Sequence, residues 1–346
     1  MAVTELDLDE LAARATGAAH GWAPGCSVRA VEPLTGGASS LTFTAAVDGG
    51  PATHTRIVLK VAPPGLEPVR NRDVARQARL MRALDGASGV RVPTVLFEDD
   101  GAPPETPPFH AMNLLEGECV EPILAAPLSD DVMDTVPGRA FAAAEMLAAL
   151  HRVVPEAVGL GDEPVTTLQD EIERWQHAFG TVDARLAARQ DEAASALLES
   201  LPSALPTAVC HGDYRLGNML CQGDEITAII DWELWSPSDP RLDLAWFLFF
   251  TDEAKHPMAA NRASSGMPSA DALLERYVEA AGATPADMEW FHCLIRYKEA
   301  AATALIYKRM LKAAGPAGLQ SSHLGEAIPA LTVECIERLG GLPRRD

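Results

Sequence analysis

Near Gly117 the chain changes its hydrophobic period, and that change limits the folds open to it. Upstream, short apolar runs rich in β-branched residues and bounded by Gly, Pro and Asp cover 27–32, 41–47, 55–62, 92–98 and 109–115. That pattern predicts strands. One helical segment interrupts them at 72–84, where Val74, Ala78, Met81 and Leu84 recur at helical spacing. Downstream, long Ala- and Leu-rich patterns predict helices over 139–154, 170–200, 271–282 and 287–314, with a β-like island at 207–231. Residues 1–20 read as a polar helix or a loose arm, and the Pro-rich stretch 98–108 as a solvated connection. The expected class is α+β and bilobal, with a β-rich N-lobe over 1–116 and a larger helical lobe over 117–346.

Composition removes several functions. A net charge of −21 argues against nucleic acid, whose phosphates need a basic footprint. The longest apolar run, 242–250, is interrupted by Asp243 and is too short to cross a bilayer, so no membrane partner is expected. Residues 1–10 are acidic and lack the pattern of a secretory signal. The six cysteines form no C-x-x-C pair, which fits a reducing cytoplasm and neither a disulfide framework nor a zinc site.

The most informative stretch is His211-Gly212-Asp213-Tyr214-Arg215-Leu216-Gly217-Asn218. An apolar strand leads in; a second strand, a Gln222-Gly223-Asp224 turn and a third strand lead out to Asp231. Phosphoryl transfer needs a carboxylate near the attacking hydroxyl and oxygen ligands for Mg²⁺ at the transferred group. The H-x-D-x-x-x-x-N spacing supplies a base, Asp213, and a metal ligand, Asn218, on one loop. A hairpin can return the second acid, Asp231, to the same ion. An ordinary loop with an Asx-turn would use the same residue types, but without need of the flanking strands or Asp231.

These residues resemble the aminoglycoside phosphotransferase and choline kinase group, which has a protein-kinase-like fold. Its loop carries His-Gly-Asp followed by Asn five positions after the Asp, then an Ile-Asp-Trp-Glu segment, here Ile230-Asp231-Trp232-Glu233. A further segment reads Ser238-Asp239-Pro240-Arg241-Leu242-Asp243-Leu244-Ala245, with Ser238 where the group usually has Gly. The resemblance implies that Asp243 supports the catalytic loop. The wording of the loop is most similar to a branch found fused to, or encoded beside, acyl-CoA dehydrogenases. It implies ATP or GTP with Mg²⁺ as cofactors, and a small hydroxylated substrate.

The same resemblance assigns the upstream residues. Gly36, Gly37, Ser39 and Ser40 form a turn whose backbone and hydroxyls would hold phosphates. Lys60 corresponds to the lysine that contacts the α- and β-phosphates. Asn113 and Leu115 would offer backbone groups to the adenine. His151, at a helix end the group shares, reads as a packing or capping residue. One position departs from kinases: Gln77 stands where a Glu normally holds the lysine, with Asp73 one turn earlier as a substitute.

Two further readings stay open, a catalytically silent nucleotide-binding regulator and a metal phosphoesterase using His211, Asp213 and Asp231. Charge bears on the acceptor. Residues 252–346 carry 12 acidic and 11 basic side chains, so nearly all the negative charge lies upstream. Arg296, Lys298, Lys308, Arg309 and Lys312 face Glu299 alone within 296–312, whereas 170–199 holds seven acids against three arginines. The charges point both ways; together with the resemblance to the acyl-CoA-dehydrogenase-associated branch, which implies a hydroxyacyl-CoA-like substrate, they favour an anionic or neutral hydroxylated acceptor over an aminoglycoside.

Overall fold

The computed structural model describes residues 6–34, 41–125, 127–259, 263–314 and 323–343. In chain order these form α1 (Leu8–Ala19), β1 (Ser27–Pro33), β2 (Leu41–Asp48), β3 (Arg56–Val61), α2 (Val74–Leu84), β4 (Val95–Asp99) and β5 (Phe109–Asn113). Then come α3 (Pro122–Ala125), α4 (Asp130–Met133), α5 (Val136–His151), α6 (Leu168–Phe179) and α7 (Gln190–Glu199). Strands β6 (Ala208–Cys210), β7 (Met219–Gln222), β8 (Glu225–Ile229) and β9 (Ser236–Ser238) precede α8 (Arg241–Phe249), α9 (Ala270–Ala281), α10 (Met288–Ala314) and α11 (Leu324–Gly340).

The chain divides into two compact units and passes between them more than once. The first takes Met1–Cys119, Glu156–Gly161 and Asn218–Trp235; the second takes Val120–Pro155, Asp162–Gly217 and Ser236–Asp346. In the first unit five antiparallel strands lie in the order β1-β2-β3-β5-β4. Helix α1 is capped by Asp7, which accepts from the N–H groups of Asp9 and Glu10. It buries Leu11, Ala15 and Ala19, spaced four apart, in one apolar core with Phe43, Ile57, Leu59, Phe97 and Phe109 of the sheet. Residues 1–20 are therefore a packed helix where described, not a loose arm. Helix α2 begins at Asp73, whose carboxylate accepts from Arg76 N at 2.9 Å.

The second unit is helical around a core that includes Trp175, Trp246, Trp290, Phe291 and Tyr297. The helix expected over 170–200 is two helices, with α6 ending at Gly180 and α7 starting after Arg189, whose φ is +60°. The apolar run 242–250, part of which belongs to the family segment around Asp243, falls mostly in α8 (Arg241–Phe249), whose nine residues are all buried. A helix enclosed on every side has no amphipathic period to read. Among the described residues no helix is long and apolar enough to cross a membrane.

Candidate active site

In the first unit, β3 carries Lys60 between two neighbours: Thr42 on β2 and His110 on β5 stand opposite it. Lys60 is 8% exposed, and its Nζ donates to Asp231 Oδ1 at 3.0 Å. Asp231 reaches that point because β7 and β8 form a tight hairpin, with Gln222 paired to Glu225 and Gly223 at φ +55° in the turn. The hairpin closes with Ile230 N donating to Asn218 O at 2.9 Å. Asn218 and Asp231 are thus held at the open end of one hairpin. Asp231 itself has φ +64°, a conformation rare outside glycine that Asp tolerates better than most residues. An amide oxygen and a carboxylate are hard oxygen donors that fit Mg²⁺.

The two expected holders of Lys60 are otherwise engaged. Asp73 caps α2, and the Gln77 amide donates to Asn71 O at 3.2 Å. Gln77 does line a small cavity together with Lys60, His110, Met112, Asp231 and Trp232. His110 was not singled out from sequence. Burial first, and the nearby Lys60 charge second, push its pKa down to about 3, so the ring is neutral. Its Nδ1 donates to Val74 O at 2.9 Å, a tautomer that follows from the carbonyl being an acceptor.

Asn113 ends β5, with its N–H donating to Thr94 O and its Oδ1 accepting from Thr94 N. Leu115 lies half-buried in the irregular segment that follows. Gly36, Gly37, Ser39 and Ser40 fall outside the described residues.

In the second unit the loop leaves β6 at His211. Gly212 has φ +85°, which explains a glycine between His211 and Asp213. The Asp243 carboxylate, 1% exposed on α8, accepts from His211 N at 2.5 Å and from Gly212 N at 2.9 Å. His151 closes α5, contacts Tyr277 Oη at 2.9 Å and stands 3.9 Å from Asp243. Tyr214 is buried, and its hydroxyl donates to Ala143 O. Asp243, Tyr214 and their partners therefore fix the loop from below.

Asp213 stands among groups that the sequence reading did not assign. Trp246 Nε1 donates to its Oδ1 at 2.8 Å, and Arg215 Nε lies 3.2 and 3.3 Å from its two oxygens. Arg215 Nη1 reaches Glu121 at 3.5 Å, and Glu121 also accepts from Gly217 N at 3.0 Å. A Cβ at 217 would collide with the Arg215 guanidinium, so this glycine makes room for the arginine. The signal for Trp246 was its spacing: three residues after Asp243 on one helix, it shares Asp243's face.

Two buried carboxyls border this group. Burial pushes Glu121 up to about 7 against the pull of Arg215. Burial also pushes Glu299 up to about 7, the Thr303 hydroxyl opposing it and the Asp213 charge adding to it. Around Glu299 stand Asp213, Lys298, Arg215 and His256, the last with Nε2 at 3.4 Å. A carboxyl whose folded pKa is raised holds a proton that the unfolded chain has released between about 4.5 and 7. Its contribution to stability accordingly falls across that window and is lost above it. Glu299→Gln should gain about 1–3 kcal/mol relative to wild type on going from pH 5 to pH 8. Urea titrations at the two pH values read the difference; equal offsets at both would contradict a raised Glu299.

Residues 30–291 match the family model of the phosphotransferase enzyme family, APH. The chain belongs to that family. Among curated relatives, acyl-CoA dehydrogenase family member 10 of Mus musculus is 24% identical over 289 residues, covering 80% of this chain and 27% of the mouse protein. The chain spans about a quarter to a third of the length of the curated relatives it matches. A crystal structure of a putative aminoglycoside phosphotransferase from Ralstonia eutropha JMP134 superposes with TM-score 0.74 at 21% identity, covering 98% of this chain and all of that one. An aminoglycoside phosphotransferase in ternary complex with ADP and hygromycin B has TM-score 0.58 at 15% identity, covering 98% of this chain and all of that one. The APH chain accordingly has the protein-kinase-like fold, with an antiparallel sheet and a helical part, as expected from its motifs.

Proposed function

We propose that this APH-family chain transfers the γ-phosphoryl group of ATP or GTP, with Mg²⁺, to a hydroxyl of a small non-cationic acceptor. Hydroxyacyl-CoA-like thioesters are the class to try first. The observation that carries the reading is the 3.0 Å contact of Lys60 with Asp231, 171 residues apart, at the end of the hairpin that also holds Asn218. An acid and an amide set beside a buried lysine suit a polyphosphate with its ion. In this assignment residues 1–116 serve the nucleotide and 117–346 serve catalysis and the acceptor. Lys60, with the turn at Gly36, Gly37, Ser39 and Ser40, holds phosphates, and the segment from Asn113 to Leu115 meets the base. Asn218 and Asp231 would hold Mg²⁺, which when bound neutralises charge on the transferred group. Asp213 orients the acceptor hydroxyl and takes its proton.

The acceptor class has narrower support. A relative named for acyl-CoA dehydrogenase favours a thioester. The basic run of α10 counts for less than its composition suggested. Arg296 pairs with Glu334 at 2.7 Å, Lys298 donates to Gly212 O, and Lys308 donates to Thr181 O. A screen of ADP release tests the choice, with hydroxyacyl-CoA thioesters, sugars, amino alcohols and aminoglycosides offered at low and moderate salt. Thioesters are expected to exceed kanamycin at least tenfold in kcat/KM, a gap of about 1.4 kcal/mol. Efficient phosphorylation of kanamycin with inert thioesters would move the chain to the antibiotic kinases. Nucleotide binding without any turnover would favour a silent regulator, for which Gln77 is the sequence feature. Phosphate release that needs no nucleotide would favour a phosphoesterase.

A further inference from the structure

Lys298 is a cation buried within the second unit, 6% exposed, on α10. Removing an ammonium from water costs several kcal/mol unless it is well partnered. Two of its partners lead to the loop. Nζ donates to Gly212 O at 2.8 Å and sits 4.2 Å from the ring centre of Trp246. On the far side it is 3.8 Å from Glu171, which accepts from Trp175 Nε1 at 2.7 Å. The Trp246 ring is itself wedged against Phe249 and Phe250. Its one polar atom donates to Asp213.

We propose that Lys298 and Trp246 are positioning residues for phosphoryl transfer. The ammonium clamps the Gly212 carbonyl and the indole face, and the indole N–H in turn fixes the orientation of the Asp213 carboxylate. This rests on Asp213 being the base. In this role neither residue contacts acceptor or nucleotide; each acts through Asp213. A near-attack geometry lost by about 1 Å can lower a rate about 100-fold, so an arrangement that holds one carboxylate orientation has a kinetic value beyond stability.

The test uses the full chain and four variants. Lys298→Met replaces the cation with an apolar side chain of similar volume, a change that buried sites often accept without loss of stability. Trp246→Phe keeps an aromatic ring and removes the N–H. Asp213→Ala provides the unbonded reference for the indole, and Asp213→Asn provides the base control. Two readouts are taken: ADP release from Mg·ATP with water as acceptor, and the ¹H–¹⁵N resonance of the Trp246 indole, assigned by its loss in Trp246→Phe.

The expected result is a fall of about 10- to 100-fold in ADP release for both Lys298→Met and Trp246→Phe, with the Kd for Mg·ADP unchanged within twofold. In Lys298→Met the indole resonance should also move toward its position in Asp213→Ala. Because the lost charge lies 4.2 Å from the ring and shifts the resonance by itself, the diagnostic is movement of both ¹H and ¹⁵N along the line from wild type to Asp213→Ala, with the thermal melt unchanged. Release within threefold of wild type in both variants, or an indole resonance that does not move along that line in Lys298→Met, overturns the proposal. Should Lys298→Met fail to fold, the rate in Trp246→Phe decides alone. If Asp213→Asn itself releases ADP at the wild-type rate, the base assignment has failed; if it is inactive while the other two are not, only the positioning role has.

Discussion

Asp213→Asn will lower turnover by roughly two to four orders of magnitude while leaving Mg·ATP binding and the melting temperature nearly unchanged. The substitution preserves shape. An amide oxygen can still accept from Trp246 Nε1, and Arg215 keeps its contact with Glu121. What it removes is a group able to take a proton from the acceptor hydroxyl. Lys60 and the proposed Mg²⁺ ligands Asn218 and Asp231 lie in the other compact unit, where Lys60 bonds Asp231 and Asn218 accepts from Ile230 N, contacts that do not involve this carboxylate. Coupled ADP release and calorimetry with a non-hydrolysable nucleotide measure the two effects separately. Turnover within about threefold of wild type would remove Asp213 from the base role; loss of nucleotide binding in parallel would point to a damaged fold.

The candidate site could be proposed from sequence where chemistry demands particular residues at fixed spacing. His211 to Asn218 and Asp231 could be singled out because loop and hairpin each leave a local signature, whereas Lys60 needed the family resemblance. The supporting residues could not be read in the same way. Trp246 sits in a helix buried on all sides, whose uniform apolarity hides the helix, so that only the spacing from Asp243 points to the face its indole takes. Lys298 looked like one more charge on a basic helix, and only tertiary packing reveals that it is enclosed. The break between α6 and α7 failed for a different reason. The residues from Thr181 to Gln190 include several helix formers, and the stop depends on turns such as Leu186 N to Asp183 O and on the left-handed Arg189. Helix α11 has no place in the sequence reading; it carries Pro329 in its interior, a residue that local rules take as a break. Ser238, the departure from the family's Gly, does not need glycine geometry here. It lies in β9 and donates its hydroxyl to Thr166 O at 2.7 Å.

The segment that begins at Ser238 also sets the largest expected effect on stability. Asp239→Ala will destabilise the protein by about 3–5 kcal/mol. Arg241 is 2% exposed, and Asp239 grips it with both oxygens, Nε at 2.9 Å and Nη2 at 2.7 Å. Asp239 further accepts from the N–H groups of Leu205 and Arg241. Without the carboxylate, the contacts left to Arg241 among the described residues include the carbonyls of Ser203 and Ala286, a 3.4 Å contact with Asp287 and the Phe291 ring. A buried guanidinium left with one long carboxylate contact is poorly compensated, a costly outcome for a broken internal pair. The corresponding fall in Tm is roughly 10 °C. Removing both charges tests that explanation, because Asp239→Ala with Arg241→Met leaves no orphaned ion and should recover a substantial part of the loss. Arg241 also opens α8, the helix whose Asp243 holds the N–H groups of His211 and Gly212, so activity should decline with the melt and not before it. A thermal melt of Asp239→Ala shifted by less than about 2 °C, or a double variant no better than the single one, would show that the pair does not carry this load.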